Sequence, residues 1–215
     1  MITDREADHY NDHVNSAIKA LASADFPTRW GHFRIYGFRM NSSQNGTSEE
    51  GVALVMGDIH SAPPLLRVHS QCLTGDVFGS LRCDCRQQLE LALSMIAGEG
   101  AGILIYEQQE GRGIGLMPKL QAYELQDAGL DTVEANEKLG FKADHREFVL
   151  PGEILKSLGV DSVRLLSNNP EKVAALERAG IVVRERVPCE VDAHAHAGDY
   201  LKTKKEKLGH LFSEK

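Results

Sequence analysis

Apolar positions along the chain change period several times, and each change predicts an element. Ala7, Tyr10, Val14, Ile18 and Leu21 recur at helical spacing. Thr3 and Glu6 have capping-box spacing ahead of them, and Pro27 reads as a stop. The pattern predicts an amphipathic helix over 4–24, with residues 1–26 as a short N-terminal helical arm, a packing element or a dimer contact. Residues 30–60 read as strands. Phe33 and Ile35 alternate with polar neighbours, Val52 to Ile59 is mostly apolar, and the polar loop between them has a turn signal at Asn45-Gly46. A short strand, LLRVH, then leads into Cys72.

Further on, the pattern alternates between helix and strand. Leu89, Leu93 and Ile96 place a helix over 86–97, with Gly98 as its stop. GILIY at 102–106 is an unbroken apolar run, as expected of a strand buried on both faces. Helices follow over 118–128, 151–158 and from Pro170 to Gly180. VRLLS and IVVRERV supply further strands. Strand–helix alternation after an early run of strands implies an α/β fold, a single domain with a mixed sheet flanked by helices. Residues 27–215 form that domain in this reading, because no repeat or low-complexity linker divides them.

Composition narrows the function. The 215 residues carry a formal charge of −7, which disfavours non-specific binding to nucleic acid. No apolar run reaches the ~20 residues that span a bilayer, and no basic segment followed by an apolar stretch opens the chain. The expectation is a cytoplasmic protein without nucleic-acid or membrane partners. In that setting the four cysteines point to metal binding or catalysis rather than disulfides.

Cys72, Cys83 and Cys85 fall within 14 residues as C-x10-C-x-C. Thiolates suit zinc, and three protein ligands with an open fourth position suit a hydrolytic centre in which metal-bound water ionises near neutral pH. Two alternatives stand beside this: three separate buried thiols, or a structural site completed by Cys189 or a histidine. His194 and His196 read as part of an exposed loop, and Cys189 as an unreactive thiol. Strand GILIY runs straight into EQQEGRGIG, where glycines admit close backbone approach and Arg112 offers a fork for phosphate. SNNPEK at 167–172 opens a helix whose N-terminus suits an anion. Lys172 in that first turn opposes the helix dipole unless a phosphate sits there. Asp144 and Arg146 would share one face of an extended segment.

Taken together, these segments resemble GTP cyclohydrolase II. The resemblance runs over roughly 28–212, through RVHSQCLTGD at 67–76, SLRCDC at 80–85, QEGRGIGL at 109–116, DTVEAN at 131–136, LGF at 139–141, LLSNNP at 165–170 and KLGHL at 207–211. It implies one zinc ion on Cys72, Cys83 and Cys85, and magnesium with the GTP phosphates. It implies a GTP site lined by Arg67, Val68, His69, Ser70, Gln71, Gln88, Glu110, Gly111, Arg112, Thr132, Ser167 and Lys172. Asp144 matches the family's proposed proton acceptor, Arg146 its proposed nucleophile toward the α-phosphate, and Tyr123 a tyrosine implicated in ring opening. The implied reaction is hydrolysis of GTP at C8, releasing formate and pyrophosphate and giving 2,5-diamino-6-(5-phosphoribosylamino)pyrimidin-4-one, at the entry to riboflavin. A homodimer is expected. The chain departs from the family with Gln71 where Glu is usual, Ser167 where Thr is usual, and HAHAGDYLKTK where asparagines precede the Y-L-x-T-K segment.

Overall fold

The computed structural model describes residues 18–41, 48–141 and 144–191. Seven strands form one sheet: β1 (Ile18–Thr28), β2 (Gly31–Asn41), β3 (Ser48–Met56), β4 (Leu65–Ser70), β5 (Gly102–Glu107), β6 (Ser162–Leu166) and β7 (Val182–Val187), in the order β1-β2-β3-β5-β4-β6-β7. The first four strands in that order pair antiparallel, and β5, β4, β6 and β7 pair parallel. The mixed α/β sheet expected from the sequence is present. Among the described residues five α-helices accompany it: α1 (Cys85–Glu99), α2 (Leu116–Asp127), α3 (Thr132–Lys138), α4 (Val149–Ser157) and α5 (Pro170–Arg178).

Both faces of the central parallel strands are covered, and β4 and β5 are buried along nearly all of their length. Leu66, Val68, Ile103, Ile105 and Leu165 pack with Leu150, Ile154 and Leu155 of α4 and with Leu176 of α5. On the other face Leu65, Leu104 and Leu166 pack with Ala92, Leu93 and Ile96 of α1. The carboxyl ends of β4 and β5 lie side by side, with Ser70 opposite Glu107, and the loops that leave them carry the sequence motifs.

Three expectations need correction. Residues 18–24 of the predicted N-terminal helix are strand, paired to β2 with a bulge between Ala20 and Ala22; the earlier part of the arm lies outside the described residues. Ile18, Ala20, Ala22, Ala24 and Phe26 alternate with period two, and sheet pairing overrides the helical spacing that Ile18 and Leu21 share with residues upstream. Pro27 does not end an element but sits inside this edge strand, where a missing N–H is tolerated. Gly98 does not stop α1, which runs to Glu99 and ends at Gly100 with φ 73°. A helix absent from the sequence reading, α3, begins at Asp131, whose side chain forms a capping box with Glu134. The Asn45-Gly46 turn, His194, His196 and the KLGHL segment lie outside the described residues.

Gly57, just after β3, holds the end of α1 close. It has φ 64°, and a Cβ there would lie 2.1 Å from the Gly100 carbonyl oxygen. Gly57→Ala should cost roughly 2–4 kcal/mol from left-handed strain and forced separation. The expected drop in Tm is about 5–15 °C by thermal melt. An unchanged Tm would show that this junction does not constrain the fold.

Candidate active site

Beyond the end of β4 the chain makes a π-helical turn, Leu73–Val77, and returns to begin α1. This turn gathers Cys72, Cys83 and Cys85. Their sulfurs all lie within 4.8 Å of one another, with Cys72 and Cys83 at 3.7 Å. Bonds of ~2.3 Å to a tetrahedral zinc would set sulfurs ~3.8 Å apart, so the spacing fits a metal-binding triad. Gly75 makes that approach feasible: a Cβ there would lie 2.9 Å from Cys83 Sγ and 3.1 Å from Cys72 Sγ. The cysteines are free, and among the described residues no other cluster of His, Cys, Asp or Glu has ligand geometry. Cys189 stands apart, its backbone bonded to the Asn168 side chain. Hydrogen bonds from Cys83 and then Cys85 hold the Cys72 thiol well below the usual range. The same contact with Cys72 is the main cause that pushes Cys83 up to about 11.

Two carboxylates brace the cysteine turn from behind. Asp76 accepts from Cys72 N at 3.0 Å, Tyr106 Oη at 2.8 Å and His69 Nε2 at 3.1 Å. Burial is the main cause that lowers the His69 pKa, against the opposing pull of Asp76. Glu110 accepts from Leu73 N at 2.6 Å and from Lys119 Nζ at 2.7 Å. Lys119 Nζ also lies 3.2 Å from Cys72 Sγ. Burial works against its charge, but Cys72 and Glu110 more than offset this and raise its pKa. Tyr123 Oη is 3.2 Å from Thr74 Oγ1, which is 3.6 Å from Cys72 Sγ. Burial raises the phenol's pKa, so it stays protonated at neutral pH.

The glycine segment forms a tight turn, Glu110–Gly113, in which both Gly111 and Arg112 have φ near 60°. Arg112 is the non-glycine residue with positive φ among those described. Its carbonyl accepts from His145 N at 3.0 Å, which ties the turn to the 144–146 segment. There Asp144 and Arg146 are bonded side chain to side chain, Nε to Oδ1 at 2.9 Å, and Arg146 reaches Ser70 Oγ at 3.4 Å. Burial works against the Asp144 charge, yet the Arg146 bonds hold its pKa below the ordinary carboxylate value.

Two connected hollows result. A cleft of about 690 Å³ is walled by the three cysteines, Gln71, Glu110, Arg112, Lys119, Tyr123, Thr132 and Arg146. A second, of about 560 Å³, shares Ser70, Cys85, Arg112 and Arg146 with it and adds Arg67, Gln88, Ser167 and Lys172. Four cationic side chains therefore face the second hollow, a composition suited to a polyanion. Arg67 donates to the Leu166 carbonyl at 3.0 Å and to Gln88 at 2.7 Å. Lys172 turns away from its own helix end to the Val68 carbonyl at 2.8 Å, while Asn169 caps that helix. Burial, then Arg67 and Arg146, lower the Lys172 pKa.

A family model described as GTP cyclohydrolase II matches residues 19–188. The GTP cyclohydrolase-2 of Enterobacter sp. (strain 638) is 55% identical over 198 residues, covering 92% of this chain and 99% of that protein. The GTP cyclohydrolase-2 of Buchnera aphidicola subsp. Acyrthosiphon pisum (strain APS) is 54% identical over a stretch of the same length. The chain belongs to the GTP cyclohydrolase II family. This is a family of hydrolases. The riboflavin biosynthesis protein RibBA of Bacillus velezensis is 49% identical over 213 residues, and the chain spans 52% of that protein's length.

Most residues carried over from the GTP cyclohydrolase II resemblance line these two hollows, although they are scattered from Arg67 to Lys172 along the chain. Val68 and His69 do not line them. Val68 offers its carbonyl to Lys172, and His69 is buried against Asp76 and stacked on Tyr106 at 5.4 Å. Asp144 borders a neighbouring hollow and reaches the shared one through Arg146. Three residues of the site escape the sequence reading: Asp76, Lys119 and Glu107. For Lys119 a signal exists, since it precedes Tyr123 by four residues and so shares its helical face.

Glu107 ends β5 fully buried. Its Oε2 has no hydrogen-bond partner, and its Oε1 has a 3.5 Å contact from Gln109. Burial, the largest cause, pushes its pKa from 4.5 up to about 8; Lys172 and Arg146 oppose this and Glu49 adds to it. The unfolded chain releases this proton near pH 4.5, while the folded chain keeps it to about pH 8. Between those values the folded state binds more protons, so this group lowers stability as pH rises and adds no further change above about 8. Glu107→Gln should remove that contribution. Its Tm relative to the wild type should climb between pH 5 and pH 8, then level off. A Tm difference independent of pH would show that Glu107 is ionised throughout.

Proposed function

We propose that this chain hydrolyses GTP, opening the imidazole ring at C8 with release of formate and pyrophosphate, as the first step of riboflavin biosynthesis. The observation that carries this reading is the pairing of an open three-cysteine centre with a four-cation hollow, joined through Arg112 and Arg146. A purine ring and a triphosphate need two such environments side by side. The names of the relatives point to the same substrate and pathway.

Cys72, Cys83 and Cys85 would hold one zinc ion, which when bound supplies Lewis acidity and a water that ionises near neutral pH. The chain's own groups do the rest. Arg67, Arg112, Arg146 and Lys172 would counter the phosphate charge, together with magnesium. An arriving polyanion would favour the charged form of Lys172, whose pKa burial lowers. Arg146 is paired side-on with Asp144, and a guanidinium so held is suited to charge stabilisation at the α-phosphate. Asp144, held ionised, is available to accept a proton. Tyr123 faces the cleft beside the cysteines and would donate its phenolic proton during ring opening. We read the protein as cytoplasmic and homodimeric. Among the described residues no helix is long and apolar enough to cross a membrane.

The test is incubation of the zinc-loaded protein with GTP and magnesium, following formate and pyrophosphate. Release of neither would refute the reading. Cys83→Ser should lose most bound zinc and all turnover, since three thiolates have no redundancy. Tyr123→Phe should fold, keep its zinc and still release pyrophosphate, while formate release falls by ~10²–10⁴-fold. Equal retention of both products in Tyr123→Phe would confine the hydroxyl to its contact with Thr74.

A further inference from the structure

Lys119 occupies a position that the carried-over roles leave unexplained. It lies on α2 one turn before Tyr123, with a side chain only 12% exposed. Its ammonium is 3.2 Å from Cys72 Sγ and 2.7 Å from Glu110 Oε1. The other oxygen of Glu110 accepts from Leu73 N at 2.6 Å. Cys72, Leu73, Glu110 and Lys119 thus close a ring, in which a cation on a rigid helix spans a metal-binding sulfur and a carboxylate at the cleft wall.

Charge explains why a cation stands there. Three thiolates around a divalent ion leave one net negative charge, on cysteines of which Cys72 and Cys83 are buried. Glu110, also buried, adds a second. Buried charge of one sign is costly unless a partner of the other sign touches it. Lys119 touches both groups.

We propose that Lys119 is a positioning residue of the metal centre: it donates a hydrogen bond to the metal-bound thiolate of Cys72 while holding Glu110 in place. This rests on the metal reading of the cysteine triad made above. A sulfur that shares its electron density with an ammonium gives less to the metal, leaving the ion more electrophilic. Partners of ligands act in this way in many metal sites. Because the same ammonium fixes Glu110, the electrophilicity of the metal and the placing of the carboxylate that holds Leu73 depend on one side chain.

The test uses cobalt(II) in place of zinc, which is spectroscopically silent. Wild type, Lys119→Met, Lys119→Gln and Lys119→Arg are loaded with cobalt, and each is checked for fold and for one ion per chain. The wild type should show a thiolate-to-cobalt charge-transfer band; its absence would overturn the metal centre and this inference with it. In Lys119→Met, with one cobalt still bound, the band should move to longer wavelength, because the freed thiolate gives up its electron more readily. Turnover of the zinc form should fall by ~10–100-fold, mainly in kcat. Lys119→Arg should restore the band position. Lys119→Gln, which fills similar space without charge, supplies the comparison if the methionine variant does not fold. A band that stays at the wild-type position in the uncharged variants at full cobalt occupancy would overturn the proposal while leaving the metal centre standing.

Discussion

Two buried basic side chains at the end of the sheet are held by main-chain carbonyls instead of carboxylates. Arg67 bonds the carbonyl of Leu166 and Lys172 that of Val68, so each strand end fixes a positive group contributed by another element. Burying charge costs several kcal/mol per ion unless something compensates. A carbonyl compensates only partly, so Arg67 keeps a charge that no carboxylate bonds, and burial lowers the Lys172 pKa. The rest of the site depends on this arrangement. It exists only where parallel strands end together, and here β4, β5 and β6 end within one neighbourhood.

The cysteine turn follows the opposite rule. There the negative groups are crowded, and each is answered. Asp76 is surrounded by donors from Cys72, Tyr106 and His69, and Glu110 by Leu73 and Lys119. The two halves of the site carry opposite charge and meet at Arg112 and Arg146. Gly75 and the left-handed Gly111–Arg112 pair let the backbone come close enough for that meeting.

Legibility of the fold varied with the kind of information each element needs. GILIY was readable because a strand buried on both faces is apolar at every position. The N-terminal strand was not, because it is an edge strand, exposed along most of its length, and its apolar residues are few enough to fit two periods. What decides between those periods is the partner strand β2, which local sequence does not reveal. The short helix α3 was missed although its capping box, Asp131 with Glu134, is local. Seven residues are too few for helical periodicity to show.

By itself the sequence determined which atoms could bind a metal and which could bind phosphate. Three thiols within 14 residues, a glycine-flanked arginine and an Asp–x–Arg pair are chemical facts of the chain, and as ordered motifs they also marked the family. Only the tertiary structure decided which of them face one another. It put Val68 and His69 behind the site, bonded His69 to Asp76 there, and brought Lys119 to the cleft wall. The reason is physical: hydrogen bonding and burial depend on distance in space, and Lys119 is separated from Cys72 by 47 residues of chain but by only 3.2 Å across the cleft.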